Sequence, residues 1–257
     1  MYKKRYGQNF LVNKNIAKKI LLDLKIKDQN ILEIGTGNLA LSKLITSYKP
    51  KKFIGIEVDK DLKQIYVKNN ISDKIIFDDA LKINERKLFN NESFSIISNL
   101  PFNISSELVI KWCKIQSLHH CIDNMTLMFQ KELAERIIAK KNNKKYGRLS
   151  ILLSAFFFIK KKLLVSKNNF FPIPKVDAMV LNFTPCKIDK IKKNNFEKLE
   201  KLTKFFFSER RKKNKKKIIK YFTPNQIEKH NLEKLFNLRA ENIDNEVFFK
   251  MSDIIKL

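Results

Sequence analysis

The first two-thirds of the chain alternates short apolar runs with stretches whose apolar residues recur at helical spacing. Ile31 to Ile34 reads as a strand, and Phe53 to Val58, Ile75 to Phe77, Phe94 to Ser98 and Met125 to Gln130 repeat the pattern. Between them, Leu39 to Tyr48, Asp59 to Asn69, Ser105 to Trp112 and Lys131 to Ala139 carry the helical period. Strand and helix in turn predict a parallel α/β sheet. Two β-rich stretches follow, Ala155 to Val165 and Ala178 to Phe183, broken by Phe171-Pro172-Ile173-Pro174.

After Pro185 the pattern changes. Phe196 to Phe207 and Ile227 to Phe236 have helical spacing with lysines on the other face, and no strand signal separates them. The expected organisation is therefore an α/β domain over residues 1–186 and a small all-helical domain over residues 187–257.

Composition narrows the function classes. With 257 residues, 44% of them hydrophobic, the chain can bury a real core, which excludes wholesale disorder. Lys and Arg number 53 against 26 Asp and Glu, a net charge of +27 that points to a polyanionic partner, nucleic acid before membrane surface. Codon bias toward Lys, Asn, Ile and Phe accounts for part of that surplus. The odd cysteine count (Cys113, Cys121 and Cys186) has no C-x-x-C spacing, and the three histidines form no ligand pair, so neither a disulfide framework nor a metal site is expected. No apolar run is long enough to span a bilayer and no signal-type core follows Lys3-Lys4-Arg5, so a cytoplasmic protein is expected.

Glycine is scarce, only 5 in the chain, and two of them stand in Glu33-Ile34-Gly35-Thr36-Gly37-Asn38-Leu39-Ala40, where a strand turns into a helix. Glycines there let a ligand approach the backbone closely. Glu57, at the end of the next strand, is placed to accept hydrogen bonds from ribose hydroxyls. These features fit a dinucleotide site and a nucleoside site such as that of S-adenosylmethionine equally well. Asp79 closes the third strand, where a carboxylate can accept from an adenine amino group.

Asn99-Leu100-Pro101-Phe102 closes the fourth strand and discriminates further. An aromatic amine is a poor nucleophile because its lone pair is delocalised into the ring. The Asn99 side-chain oxygen and a backbone carbonyl can each accept one N–H of such an amine, favouring a pyramidal nitrogen. Pro101 biases Leu100 to an extended shape, and Phe102 offers a flat face to an extruded base. Such catalysis needs positioning and electrostatics but no nucleophile or metal.

These motifs belong to a longer series. Gly7-Gln8-Asn9-Phe10-Leu11, the Glu33 to Ala40 loop, Ile56-Glu57-Val58-Asp59, Asp79-Ala80 and Asn99 to Ser105 come in order. Gln130-Lys131-Glu132, Tyr146 to Ser150, Phe171 to Asp177, Arg210-Arg211-Lys212 and Arg239 to Ile243 follow. The series resembles the ribosomal RNA adenine dimethyltransferases of the KsgA type, from residue 5 to about residue 245. The resemblance implies a Rossmann-like methyltransferase domain that binds S-adenosylmethionine, with a small helical domain behind it. It implies that Asn9 and Leu11 line the cofactor pocket, with Gly35 at its turn, Glu57 on the ribose and Asp79 on the cofactor's adenine. Asn99 stands where cofactor and target amine meet, and Phe171 stacks on the flipped adenine. The implied reaction adds two methyls to N6 of each of two adjacent adenosines in a hairpin near the 3′ end of small-subunit rRNA. The implied partner is an assembling small subunit, met by a monomer. Two departures stand out: Phe102 replaces a Tyr found in many relatives, and the stretch around Arg210, Arg211 and Lys212, the expected rRNA contact, is unusually rich in lysine.

The charge is unevenly spread. Residues 187–257 hold 20 Lys and Arg against 10 Asp and Glu, and Arg210 to Lys220 holds eight basic residues in eleven positions. Lys140 to Arg148 holds five, whereas no basic residue lies between Lys87 and Lys111. The basic stretches suit phosphate contacts, and the cation-free one suits a sulfonium donor. Two alternatives stay open: an Erm-type enzyme acting on large-subunit rRNA, and a non-catalytic RNA-binding assembly factor on the same fold.

Overall fold

The structure is a computed structural model that describes residues 7–188, 190–192 and 195–255. In chain order its first elements are β1 (Phe10–Leu11), α1 (Lys14–Leu21), β2 (Asn30–Ile34), α2 (Ser42–Ser47), β3 (Lys52–Glu57), α3 (Lys63–Lys68) and β4 (Ile75–Phe77). Next come α4 (Glu85–Leu88), β5 (Phe94–Asn99), α5 (Ser105–His119), β6 (Ile122–Gln130), α6 (Lys131–Ile137), α7 (Arg148–Ser154), β7 (Phe157–Val165), β8 (Phe170–Phe171) and β9 (Ala178–Pro185). The helices α8 (Phe196–Ser208), α9 (Lys215–Tyr221), α10 (Pro224–Lys229) and α11 (Asn245–Ile254) complete the chain.

Seven strands form one sheet in the order β4-β3-β2-β5-β6-β9-β7. The first five are parallel to their neighbours, and β9 joins β6 antiparallel. The apolar runs become strands because both faces are covered: all five residues of β2 are buried, as are five of six in β3 and in β5. The chain leaves β2 toward β3 on one side, while β5 leads to β6 on the other. The switch point therefore lies between β2 and β5, where open α/β sheets bind ligands at their carboxyl ends. The Gly35 turn and the Asn99 motif are the loops that meet there.

Several elements differ from the expected ones for local reasons. The helix after β2 begins at Ser42, not Leu39, because Leu39 takes φ +65° within the turn. The stretch from Asp59 opens as a short tight helix over Lys60–Leu62 before α3. Past Trp112, α5 runs on to His119. The Ile227 to Phe236 helix is two pieces, because Asn231 adopts φ +54° between α10 and a turn at Leu232–Leu235. α1, α4, α7, α9 and α11 answer to no helix read from the sequence pattern. α1 is capped by the Asn13 side chain and α11 by that of Asp244.

The chain divides into two compact units. Among the described residues, one holds 7–112, 120–134 and 159–185; the other holds 113–119, 135–158 and those from 186 to 255. The last piece of the second unit starts at residue 186. That unit also takes in the end of α5 and the segment carrying α7, because both are built into its core. Phe156 packs on Phe196 with ring centroids 5.9 Å apart, and the Tyr146 hydroxyl donates to the Ile243 carbonyl at 3.0 Å. A composition change marks where a segment begins but carries no record of such distant pairings.

Candidate active site

A pocket opens at the switch point, lined among others by Asn9, Leu11, Gly35, Glu57, Asn99 and Phe102. Gly35 has φ +71°, and a Cβ there would stand 3.2 Å from the Pro101 ring. The first glycine of the turn thus lets the Asn99 motif lie directly against it. Gly55, which belongs to none of the recognised motifs, supports the same turn from β3: a Cβ there would fall 2.4 Å from Thr36 Cγ2.

Glu57 is buried and accepts three backbone N–H groups, from Gly37 on Oε2 and from Val58 and Asp59 on Oε1, each at 3.0 Å. Its first task is therefore to hold the glycine turn, and acceptor capacity remains on Oε2. Burial pushes its carboxyl above the ordinary carboxylate range, against the pull of those three donors. Tyr66 donates to the Gly37 carbonyl at 3.1 Å and accepts from Thr36 Oγ1 at 3.0 Å. Sequence reasoning missed this brace; the only available signal was an aromatic at helical spacing. Glu33, also in the lining, is buried with the Ser42 hydroxyl donating to it at 2.6 Å, and burial pushes its carboxyl up to about 8.

The N-terminal motif closes the other wall. The Asn99 side-chain amide donates to the Asn9 carbonyl at 3.1 Å, and that of Asn38 donates to the Leu11 carbonyl at 2.9 Å. Asn99 Oδ1 is buried and has no hydrogen-bond partner. A buried acceptor left open at a pocket wall costs free energy that only an incoming donor recovers. Leu100 is buried, and its N–H donates to the Met128 carbonyl at 3.3 Å.

Phe171 stands beside this wall through an unforeseen pairing: β8 runs antiparallel to β1, with Phe171 opposite Phe10 and Phe170 opposite Leu11. Phe171 is 62% exposed. Asp79 is not among the pocket lining. It follows β4, one residue past Asp78, whose N–H donates to the Glu57 carbonyl at 3.0 Å.

The basic residues of the second unit are not equivalent. Arg210 pairs with Glu241 at 2.6 Å, tying two of the recognised blocks together, and Lys212 pairs with Glu209 at 2.5 Å. Arg211 is exposed. Lys217 is buried, donating to the carbonyls of Phe206 at 2.7 Å and Glu209 at 3.2 Å, so it closes the end of α8. Among the described residues no group of three His, Cys, Asp or Glu side chains could hold a metal ion. No helix among them is long and apolar enough to cross a membrane.

The family described as Ribosomal RNA adenine dimethylase matches residues 1–257. The chain belongs to that family. It is an rRNA adenine dimethyltransferase, and S-adenosylmethionine is its methyl donor. Ribosomal RNA small subunit methyltransferase A of Pelagibacter ubique (strain HTCC1062) is 40% identical over 253 residues, covering 97% of this chain and 95% of the relative. The crystal structure of a dimethyladenosine transferase from Plasmodium falciparum superposes with a TM-score of 0.75 at 26% identity, covering 96% of this chain and all of that one. The 23S rRNA methyltransferase ErmE shares the fold, with a TM-score of 0.66 at 19% identity over 95% of this chain and 99% of ErmE. The pocket of this dimethylase suits the donor: a narrow glycine turn, a buried carboxylate and an open amide oxygen converge there.

Proposed function

We propose that this dimethylase methylates N6 of two adjacent adenosines in a hairpin near the 3′ end of small-subunit rRNA. It would add two methyls to each, as a cytoplasmic monomer acting on an assembling subunit. The observation that carries the chemistry is the open, buried Oδ1 of Asn99. The relative's name, small subunit methyltransferase A, favours the small subunit as substrate.

In this reading Asn9, Leu11, Gly35, Glu57, Asp79 and Asn99 hold S-adenosylmethionine, which supplies an electrophilic methyl on a sulfonium. Asn99 Oδ1 and the Leu100 carbonyl accept the two N–H groups of the target amine, and Pro101 keeps that carbonyl aimed. The nitrogen lone pair is turned out of the ring plane and forms the N–CH3 bond as the S–CH3 bond breaks. Loss of that methyl would leave the donor a neutral thioether holding the S–C electron pair, and the target amine would shed its proton to water. Phe102 and Phe171 hold the base between flat apolar faces. Arg211 and Lys212 contact phosphates; Arg210 contributes by fixing the segment that bears them.

Unmodified small and large subunits incubated with methyl-labelled S-adenosylmethionine test the reading. Label should appear as dimethyladenosine in the small subunit. Label confined to large-subunit RNA would support the Erm-type alternative, and no transfer with intact subunit binding would support the non-catalytic one.

A further inference from the structure

The turn that follows Asp79 is held by a partly buried cluster that no part of the proposed chemistry uses. Lys111, on α5, directs its ammonium to the Ala80 carbonyl at 2.9 Å, the Ile83 carbonyl at 2.5 Å and Glu85 Oε1 at 3.0 Å. All three of its donors thereby have partners. Glu85 is 1% exposed, and its Oε1 also accepts the indole N–H of Trp112 at 2.8 Å. Consecutive residues of α5 thus grip one carboxylate, and through it the segment joining β4 to α4.

Asp79 sits at the near end of that segment. Its Oδ1 accepts the Leu81 N–H at 3.0 Å and its carbonyl accepts the Lys82 N–H at 2.9 Å. The other oxygen, Oδ2, meets only a distant Lys82 ammonium at 4.0 Å among these contacts. Where Oδ2 points is therefore set by the Asp79–Ile83 turn, and two carbonyls of that turn are set by Lys111. The helix carrying Lys111 starts at Ser105, whose hydroxyl donates to the Phe102 carbonyl at 3.1 Å. One rigid element thus links the proposed methyl-transfer motif to the proposed adenine acceptor.

We propose that Lys111 is a positioning residue for cofactor recognition: by holding Ala80 and Ile83 it aims Asp79, and so sets the preference for an amino over an oxo group at purine C6. This inference rests on the reading of Asp79 as the adenine acceptor. An amino group donates to a carboxylate, whereas an oxo group repels it, so the preference depends on where Oδ2 stands.

The test is calorimetric binding of S-adenosylhomocysteine and S-inosylhomocysteine to the full chain. The wild type should favour the adenosyl compound at least ~10-fold, the scale of one charge-assisted hydrogen bond. Lys111→Met should bring that ratio close to one, and Lys111→Arg should restore part of it. With S-adenosylmethionine, the Met variant should raise KM by a larger factor than it lowers kcat. Because a lone buried Glu85 can prevent folding, the double variant Lys111→Met/Glu85→Gln removes both charges together. A folded double variant with the wild-type ratio would overturn the role of Lys111. If Asp79→Ala keeps the wild-type ratio, it is the reading of Asp79 that fails. If Asp79→Ala loses the ratio while the double variant keeps it, only the Lys111 inference fails.

Discussion

The side-chain amide of Asn99 donates to the Asn9 carbonyl at 3.1 Å and leaves Oδ1 as a buried acceptor with no partner. The bond fixes which end of the amide faces Asn9, so the oxygen is held ready for a donor before any substrate arrives. Asn99→Ala should lower kcat by about 10²- to 10³-fold, the effect of removing one preorganised polar contact. Binding to unmethylated subunits should change little. Equal losses in subunit affinity and turnover would assign Asn99 to binding alone.

Phe10 and Phe171 separate two roles on one short ribbon. Phe171 is exposed and paired opposite Phe10, whose ring lies against Gly37. Phe171→Ala should weaken productive RNA engagement and leave S-adenosylhomocysteine affinity within about twofold. Phe10→Ala should weaken both. Calorimetry of cofactor binding beside steady-state kinetics distinguishes the two patterns.

Gly55→Ala is expected to disturb the site from outside the recognised motifs. The added methyl would stand 2.4 Å from Thr36 Cγ2 and 2.6 Å from Ile75 Cδ1, and both belong to well-packed elements. Overpacking of this kind costs about 1–3 kcal/mol. The melting temperature should fall and cofactor affinity should drop with it, whereas an unchanged affinity would show that the turn tolerates the shift.

Glu33 predicts a pH dependence. Burial raises its carboxyl from an ordinary 4.5 to about 8, so the folded chain holds a proton there that the unfolded chain releases. Its contribution to stability is complete below 4.5 and is lost as pH rises through about 8. Between pH 5 and pH 8 the wild type should lose up to ~4 kcal/mol relative to Glu33→Gln. Denaturant titrations of both proteins across that range measure the difference, and parallel curves would remove Glu33 from the linkage.

Lysines of the 210–220 stretch should divide by burial. Lys217 closes α8 from inside, and burial holds its ammonium below the ordinary lysine range. Lys217→Ala should cost about 1–3 kcal/mol of stability because two carbonyls lose a charged donor. Lys212 and Lys216 are exposed. Their alanine variants should keep the wild-type melting temperature and reduce the salt dependence of rRNA binding by about one unit of slope each. A destabilised Lys216→Ala, or a neutral Lys217→Ala, would reverse the assignment.

The parallel sheet was legible because its strands are apolar throughout and end in turn chemistry. Ile31 to Ile34 with Gly35 and Gly37, and Phe94 to Ser98 with Asn99, announce both the strands and the ligand face. Helix limits were less legible, since single residues such as Leu39 and Asn231 take left-handed conformations that no period reveals. Phe171 was legible as a motif residue, yet its place beside Phe10 depends on a pairing between residues 161 positions apart.

Local periodicity and short motifs therefore determined the strand order along the chain, the glycine turn, the candidate acids and the Asn99 motif, because each is written in consecutive residues. Only the tertiary structure decided which atoms are already engaged. It commits Glu57 to three backbone donors, turns Lys217 inward, pairs Arg210 with Glu241, places Gly55 under the turn and leaves Asn99 Oδ1 open. The physical reason is that burial and hydrogen-bond satisfaction belong to neighbours in space, and sequence lists only neighbours along the chain.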